Sequence, residues 1–433
     1  MLTALKDKKQ KDVFVKRFSQ SLRISPKAQA VFREASDLSA LRGEAVYVVG
    51  GFVRDQALHV ESFDVDFAVE GDGLAFAEAL AKAMGGRCEA FTKFGTAIVT
   101  VPGFGKVDVA STRAESYSNP GALPDVTPDS LVSDIVRRDF TINSIAVRLG
   151  PHGKTEWIDP THGLEDLQKG ILRAHHAKTF EDDPTRIFRA VRFEQRFGFK
   201  IEKRTLLWLK AAVKGGFLDR VTGERLRNEL RLIFAEPDPL RAVKRLRDLG
   251  AWTRLHFVLK PTRSLAELPN AIASYHKLGT TLDEPWMAWL SLLADGADEN
   301  QRRALADRLM LSGVERKILF QCGCHLKAAA KVLRRKNIDL GGIHSEVSTL
   351  RFETRVVLWA KSSPREQRLL AQYEKAVRVC RPFLSGKDLI DTGLRPGPEF
   401  AELLEESYRF QLDKKLKTRR QALKWLEKRV LKE

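Results

Sequence analysis

Ala45-Val-Tyr-Val-Val-Gly-Gly-Phe-Val-Arg-Asp55, followed after a short connection by Phe63-Asp-Val-Asp-Phe-Ala-Val69, decides how this chain is read. Ala45 to Val49 is an apolar, β-branched run that stops at Gly50-Gly51, as a strand stops at a turn. The residues after the turn read as the start of a helix. The glycines let backbone approach a phosphate, the helix start favours an anion, and Arg54 adds a charged donor. No Gly-Lys-Ser/Thr follows, so this is not a P-loop. Phe63 to Val69 reads as a second strand. Asp64 and Asp66 then share one face, with Phe63, Val65 and Phe67 on the other. Carboxylates this close repel each other unless a cation lies between them. Mg²⁺ is the natural candidate, because it takes hard oxygen ligands and triphosphate oxygens together. Asp108, between Val107 and Val109, offers a third carboxylate from a neighbouring strand. Taken alone, an Asp-x-Asp also suits an ordinary exposed strand face.

Outward from this stretch, Ala97–Val101 and Lys106–Ala110 read as two further strands joined at Pro102-Gly103, and Gly73–Met84 as an amphipathic helix. Asn119 to Pro128 is rich in proline and glycine and reads as a loop. Residues 1–40 read as a basic, helical lead-in. Beyond about residue 175 strand signals almost vanish, and helix follows helix with breaks at Gly215-Gly216, Pro237-Asp-Pro239, Gly341-Gly342 and Arg395-Pro-Gly-Pro398. Lys414 to Glu433 reads as a basic amphipathic helix. The fold class is therefore α+β: a head on a small mixed sheet, then helices.

The chain has 433 residues, too many for one growing core, so more than one domain is expected. Its net charge of +18 favours polyanionic partners through phosphate contacts. Four cysteines in this length argue against a disulfide framework. Cys322-Gly-Cys324-His325 has no second ligand pair at metal-binding spacing, so it reads as a buried pair of thiols. Lys6, Lys8, Lys9 and Lys11 precede no apolar h-region, and no apolar run reaches the ~18 residues of a membrane span. A cytoplasmic protein is expected.

The Gly-Gly turn, the Asp-x-Asp strand and the later apolar-Asp-apolar strand resemble the nucleotidyltransferase superfamily associated with DNA polymerase β. Four further segments follow in order: Arg137-Arg-Asp-Phe-Thr-Ile-Asn143, Asp159-Pro-Thr-His-Gly-Leu-Glu-Asp-Leu167, Asp182-Asp-Pro-Thr-Arg-Ile-Phe-Arg-Ala-Val-Arg192 and Glu224-Arg-Leu-Arg-Asn-Glu-Leu230. With the head motifs they resemble the class II tRNA nucleotidyltransferases, which include CCA-, CC- and A-adding enzymes and bacterial poly(A) polymerases. The likeness is specific over residues 45–235, general over 236–380, and returns at Ser385 to Pro398. It implies a nucleotidyltransferase head (1–150), a nucleotide-reading neck (151–235), a helical body (236–380) and a basic, RNA-binding tail (381–433).

The resemblance also implies roles. Asp64 and Asp66 match the metal-binding pair, and Gly50, Gly51 and Arg54 the phosphate-side turn. Arg137, Arg138, Asp139 and Asn143 match the motif that holds triphosphate and ribose, and Asp183 and Arg186 the pair that reads the base. The last pair has a physical logic. Three apart in a helix, the two would share a face. Adenine and cytosine each offer an amino donor beside a ring acceptor, so a carboxylate and a guanidinium together accept A and C and reject G and U. An ordinary surface ion pair is the plain alternative. Arg189, Arg192 and Arg196 continue the stripe towards the triphosphate or the RNA 3′ end, and Lys414, Lys415, Lys417, Arg419 and Arg420 are a candidate grip on RNA backbone. Two positions depart from the family pattern: Asp182 stands where Glu is usual, and His162 where Gly is usual.

The expected reaction is attack of an RNA 3′-hydroxyl on the α-phosphate of ATP or CTP, with Mg²⁺ as cofactor and the tRNA 3′ end as partner. Arg113 to Pro124 is similar to the loop region of A-adding enzymes, which favours A addition over full CCA addition. A poly(A) polymerase uses the same motifs. A non-catalytic RNA-binding protein on this scaffold is the rival from another class, and retention of Asp64, Asp66 and Asp108 argues against it.

Overall fold

The computed structural model describes residues 25–151 and 154–430. They divide into two compact units, with the boundary between Arg225 and Leu226. The four-part division expected from the sequence is finer than this. Of the expected lead-in, residues 1–24 lie outside the described residues, and the remainder forms α1 (Pro26–Arg42). Ser25 caps its start through Ala28 N (3.3 Å), Pro26 occupies its first turn, and Gly43 ends it in the left-handed conformation.

The first unit continues in chain order as β1 (Ala45–Val49), α2 (Gly51–Ala57), β2 (Val65–Glu70), α3 (Gly73–Ala83), β3 (Arg87–Phe91), β4 (Thr96–Val101), β5 (Gly105–Ser111), β6 (Arg113–Ser116), β7 (Asp125–Pro128), α4 (Leu131–Val136), β8 (Ala146–Leu149) and β9 (Thr155–Ile158). A seven-stranded mixed sheet has the order β3-β4-β5-β2-β1-β8-β9. Within it β2 and β5 run parallel, while the other neighbours are antiparallel. Val46, Val48, Phe67, Val69, Val107 and Val109 are buried in this sheet. Phe32 of α1 packs on Phe52 and Phe67 with ring centroids 5.6 Å apart in both cases. The unit closes with α5 (Gly163–Lys169), β10 (Ile171–Leu172), α6 (Thr179–Asp182), α7 (Arg186–Phe197), β11 (Lys200–Ile201), α8 (Lys203–Lys214) and the start of α9 (Gly223–Phe234).

Three sequence expectations are corrected here. The second strand starts at Val65, so Phe63 is exposed rather than packed beneath the sheet. The segment from Asn119 to Pro128 is not all loop, because Asp125–Pro128 pairs with Arg113–Ser116 as an antiparallel hairpin. Proline at the end of β7 sits in a two-stranded ribbon, whose open edge needs no further donor. β3, β8 and β9 were not anticipated, and exposed β3 lacks the β-branched alternation that marks a strand.

Among the described residues the second unit has helices as its only regular elements, from α10 (Pro239–Asp248) and α11 (Ala251–Leu255) through α12 (Leu268–Lys277), α13 (Trp286–Leu293), α14 (Glu299–Arg308), α15 (Gly313–Leu333), α16 (Leu340–Val347), α17 (Phe352–Ala360), α18 (Pro364–Val379), α19 (Gly386–Asp391) and α20 (Pro398–Leu412) to α21 (Arg419–Val430). Phe234 stacks on Trp252 and Trp289 at 6.4 and 5.7 Å. Leu384, Leu389, Leu416, Ala422 and Leu426 form a separate small core at the C-terminal end. The last helix begins at Arg419 rather than Lys414, which has φ 58° and lies in a turn. Lys415 pairs with Asp413 and with Asp339 of the expected body, and Arg419 with Asp388, so part of the expected basic stripe is neutralised within the second unit. Cys322 is buried but Cys324 is exposed, so the two are not a buried pair. None of the described helices is long and apolar enough to cross a membrane.

Candidate active site

Asp66 on β2 lies opposite Asp108 on β5 in the parallel register, and Asp64 immediately precedes β2. A carboxylate oxygen from each lies within 4.8 Å of the others. Burial is the largest influence on Asp66; Arg138 opposes it, Asp64 and Asp108 reinforce it, and the carboxyl is pushed up to about 7. Asp108 is likewise raised by burial and by Asp64. The cluster is short of positive charge and consists wholly of hard oxygen donors, which suits a cation such as Mg²⁺. It borders a cleft of about 400 Å³ lined by Asp66, Asp108, Phe91, Ile98, Arg137 and Arg138.

The turn between β1 and α2 meets this cluster at Gly50. Its φ of 72° and ψ of −136° favour glycine, and an added Cβ would lie 3.1 Å from Arg138 Nη1 and 3.2 Å from Asp66 Oδ2. Glycine thus lets a guanidinium and a carboxylate close on the turn together. Arg138 Nη2 donates to Asp134 at 2.8 Å. Arg137 donates to Asp134 at 2.6 Å through Nη2 and to Glu115 at 2.6 Å through Nη1. Burial alone would raise the Asp134 carboxyl, but Arg138 and Arg137 hold it below the usual range.

Arg54, expected at a phosphate, is buried. Its guanidinium donates to Asp55 (2.8 Å) and to Asn143 Oδ1 (2.7 Å), and its Cζ lies 4.9 Å from the Phe197 ring centroid. Asn143 Nδ2 donates to Asp139 Oδ1 at 2.9 Å, and Arg189 Nε donates to Asp139 Oδ2 at 2.7 Å. A continuous chain of polar contacts therefore joins α2, the segment 139–143 and α7. Burial pushes the Asp139 carboxyl up, but Arg189, Asn143 and Arg186 outweigh it and hold the group at about 2. Arg192 is buried on α7, with Cζ 4.8 Å from the Phe193 ring centroid.

Asp183 and Arg186 do not share a helix. Asp183 lies between α6 and α7 at φ −132°, ψ 94°. Pro184 follows it and disfavours helical backbone at the preceding residue. Asp183 Oδ1 instead accepts from Thr185 N (3.0 Å), Thr185 Oγ1 (2.6 Å) and Arg225 Nη2 (2.7 Å). Arg186 donates to Thr179 Oγ1 (2.6 Å) and the Arg137 carbonyl (2.8 Å).

Sequence reasoning gave no individual role to Glu115, Asp134 or Arg225, although Glu115 lies in the 113–124 segment and Arg225 in the 224–230 segment. Asp134 carried a usable signal, because it stands three and four residues before Arg137 and Arg138. Glu115 and Arg225 meet their partners across long sequence separations that no local spacing reveals. The Asp159 motif is structural: its oxygens accept from Gly163 N (2.7 Å) and Leu164 N (2.9 Å), capping α5. A Cβ on Gly163 would stand 2.1 Å from the Thr141 carbonyl oxygen, so only glycine lets α5 approach the 141–143 segment. His162, before it, has φ 58°, where glycine is unstrained.

Residues 46–173 match the family model described as the poly A polymerase head domain, and residues 198–259 the one described as a probable RNA and SrmB-binding site of polymerase A. An A-adding tRNA nucleotidyltransferase of Halalkalibacterium halodurans is 31% identical over 378 residues, which are 86% of each chain. The chain belongs to the tRNA nucleotidyltransferase family. An A-adding member from Geobacter sulfurreducens is 38% identical over 386 residues, covering 86% of this chain but only 44% of that longer protein. Among solved structures, an apo CCA-adding enzyme superposes with a TM-score of 0.80 at 31% identity, over 96% of this chain and 97% of its own. That likeness extends the family fold, a polymerase-β-like mixed-sheet head followed by helices, over nearly the whole sequence.

Proposed function

We propose that this chain adds adenosine to the 3′ end of tRNA, by attack of the terminal 3′-hydroxyl on the α-phosphate of ATP with release of pyrophosphate. The observation that carries this reading is the unneutralised cluster of Asp64, Asp66 and Asp108 beside the Gly50 turn. Held by Asp64 and Asp66, with Asp108 adjoining, Mg²⁺ would supply charge neutralisation at the attacking and leaving oxygens. Arg138, which reaches the turn and the cluster, takes the triphosphate. Arg137, with Glu115 and Asp134, fixes the wall behind it. Gly50 and Gly51 give the phosphates room. Buried Arg54, Asp139 and Asn143, with half-buried Arg189, form a frame that holds this wall against α7, and Arg192 supports the same helix. Asp183 and Arg186 read the base as acceptor and donor, approaching it from two separate backbone segments rather than from one helix face.

A over C is favoured by the names of the relatives: both those from Geobacter and from Halalkalibacterium are A-adding. The head, neck, body and tail divisions carry over as part of this reading, with the basic tail on RNA and the enzyme acting in the cytoplasm. The test is incubation of purified protein with tRNAs ending before CCA, after C and after CC, with each NTP supplied separately. The expected product is one AMP on the CC end from ATP alone. CMP incorporation would make it a CC- or CCA-adding enzyme, long A tails a poly(A) polymerase, and no incorporation with RNA binding intact a non-catalytic scaffold.

A further inference from the structure

Arg225 stands on α9, far in sequence from the base-reading residues, yet it grips one of them and a loop beside it. Its Nη2 lies 2.7 Å from Asp183 Oδ1, and its Nη1 donates to the Gly121 carbonyl at 3.2 Å. Gly121 is held from its other side as well, since its N donates to the Asp182 carbonyl at 3.3 Å. Thr185 N and Thr185 Oγ1 join Arg225 on the same oxygen of Asp183. Among the described residues, every donor to this carboxylate converges on Oδ1, leaving Oδ2 to accept from a ligand. Both side chains are partly open, Arg225 at 23% and Asp183 at 19%. Arg186 is fixed in the complementary way, by Thr179 and the Arg137 carbonyl.

We propose that Arg225 is a positioning residue for base selection: it pins Asp183 Oδ1 so that Oδ2 meets the amino group of the incoming base, and it ties the loop at Gly121 to that same carboxylate. The inference rests on the reading of Asp183 as a base-selecting residue. A carboxylate free to swing would offer its acceptors over a range of angles, and a donor-first edge such as that of adenine would lose its advantage over guanine or uracil. The planar fork of arginine serves both partners at once, which a lysine ammonium cannot do with the same geometry.

The experiment is steady-state kinetics with all four NTPs on tRNA ending in CC, for the wild type, Arg225→Met, Arg225→Lys, Asp183→Ala and the Arg225→Met/Asp183→Ala double variant. Loss of a hydrogen bond to a charged group corresponds to roughly a 10- to 100-fold effect, so Arg225→Met is expected to lower kcat/KM for ATP by about that factor. The ATP/UTP and ATP/GTP ratios should narrow about tenfold with it, and Arg225→Lys should recover part of the ratio. On the Asp183→Ala background, Arg225→Met should add less than about twofold, because the two act as one unit. An equal loss for all four nucleotides, or an undiminished effect on the Asp183→Ala background, overturns the proposal. If Arg225→Met fails to fold, Arg225→Lys carries the ratio test alone, and unchanged ratios there overturn it. Unchanged ratios in Asp183→Ala would remove the base-reading assignment itself and this inference with it. Altered ratios in Asp183→Ala with fixed ratios in Arg225→Met would remove this inference only.

Discussion

Two charged clusters in the first unit have opposite electrostatic characters. Asp64, Asp66 and Asp108 crowd three carboxylates together, with Arg138 acting on Asp66 and Lys106 on Asp108 as partial counter-charges, and the Asp66 carboxyl is driven up to about 7. Asp139 is more deeply enclosed, yet Arg189, Asn143 and Arg186 hold it at about 2. Burial acts in the same direction on both, so the difference comes from partners. Charge that the chain neutralises itself forms a frame, as in the run from Arg189 through Asp139 and Asn143 to Arg54. Charge left unneutralised costs stability and is retained where a ligand completes it. The contrast also separates residues that the sequence places together: Arg54 adjoins the Gly50 turn but belongs to the frame, whereas Arg138 reaches the carboxylates.

The largest expected effect falls on the unneutralised cluster. Asp64→Ala or Asp66→Ala should reduce AMP incorporation by roughly 10³-fold or more, since several kcal/mol of transition-state stabilisation go with the metal. Melting temperature without metal should hold or rise, because each change relieves repulsion. A variant that keeps near-normal turnover with Mg²⁺, or one that loses activity only by unfolding, breaks the contrast.

The frame should respond in the reverse sense. Asp139→Ala leaves Arg189 and Asn143 without their shared acceptor and should destabilise by about 2–4 kcal/mol, read by urea or thermal unfolding. Its pH dependence has a defined sign. The folded-state carboxyl lies below its unfolded value of 3.8, so its contribution is present above about pH 4 and is lost as pH falls towards 2. Wild type and Asp139→Ala should therefore converge in stability over that window, and a constant gap between them would remove Asp139 from the frame.

The smallest effect is at the edge of the frame, where α5 meets the 141–143 segment. His162→Gly replaces a residue at φ 58° by one that adopts this backbone without strain. Relief of strain and the extra unfolded-state freedom of glycine partly cancel, leaving a net gain of about 0.5 kcal/mol. A clear loss in a chemical unfolding titration would mean that the imidazole makes a contact worth more than the strain.

Much of the head was legible because its signals are local. Ala45–Val49 has the β-branched run of a buried strand, and Gly50-Gly51 marks the turn where backbone must take φ 72°. Asp64, Asp66 and Asp108 were recognisable from apolar-Asp alternation, and the parallel β2–β5 pairing brings them together. What escaped depends on tertiary contact or on a local rule that was outweighed. The helical spacing of Asp183 and Arg186 looked sufficient, but Pro184 interrupts it. Charge beside a glycine turn suggests a phosphate ligand at Arg54, and no local spacing reveals that its guanidinium donates to Asn143, distant in sequence. Exposed Phe63 shows the same limit, since apolar alternation extended two residues beyond the strand.

The most direct measurement is Mg²⁺-dependent ATP binding, by isothermal titration calorimetry, to the wild type, Asp66→Asn and Asp139→Asn at neutral pH. Asp66→Asn keeps the shape and removes the charge from the open cluster; Asp139→Asn does the same in the closed frame. The expected result is Mg²⁺-dependent ATP binding by the wild type, loss of the Mg²⁺ dependence in Asp66→Asn, and its retention in Asp139→Asn wherever that variant is folded. Undiminished Mg²⁺ dependence in Asp66→Asn, or its selective loss in folded Asp139→Asn, would contradict the division between a cluster left open for a ligand and a frame that neutralises itself.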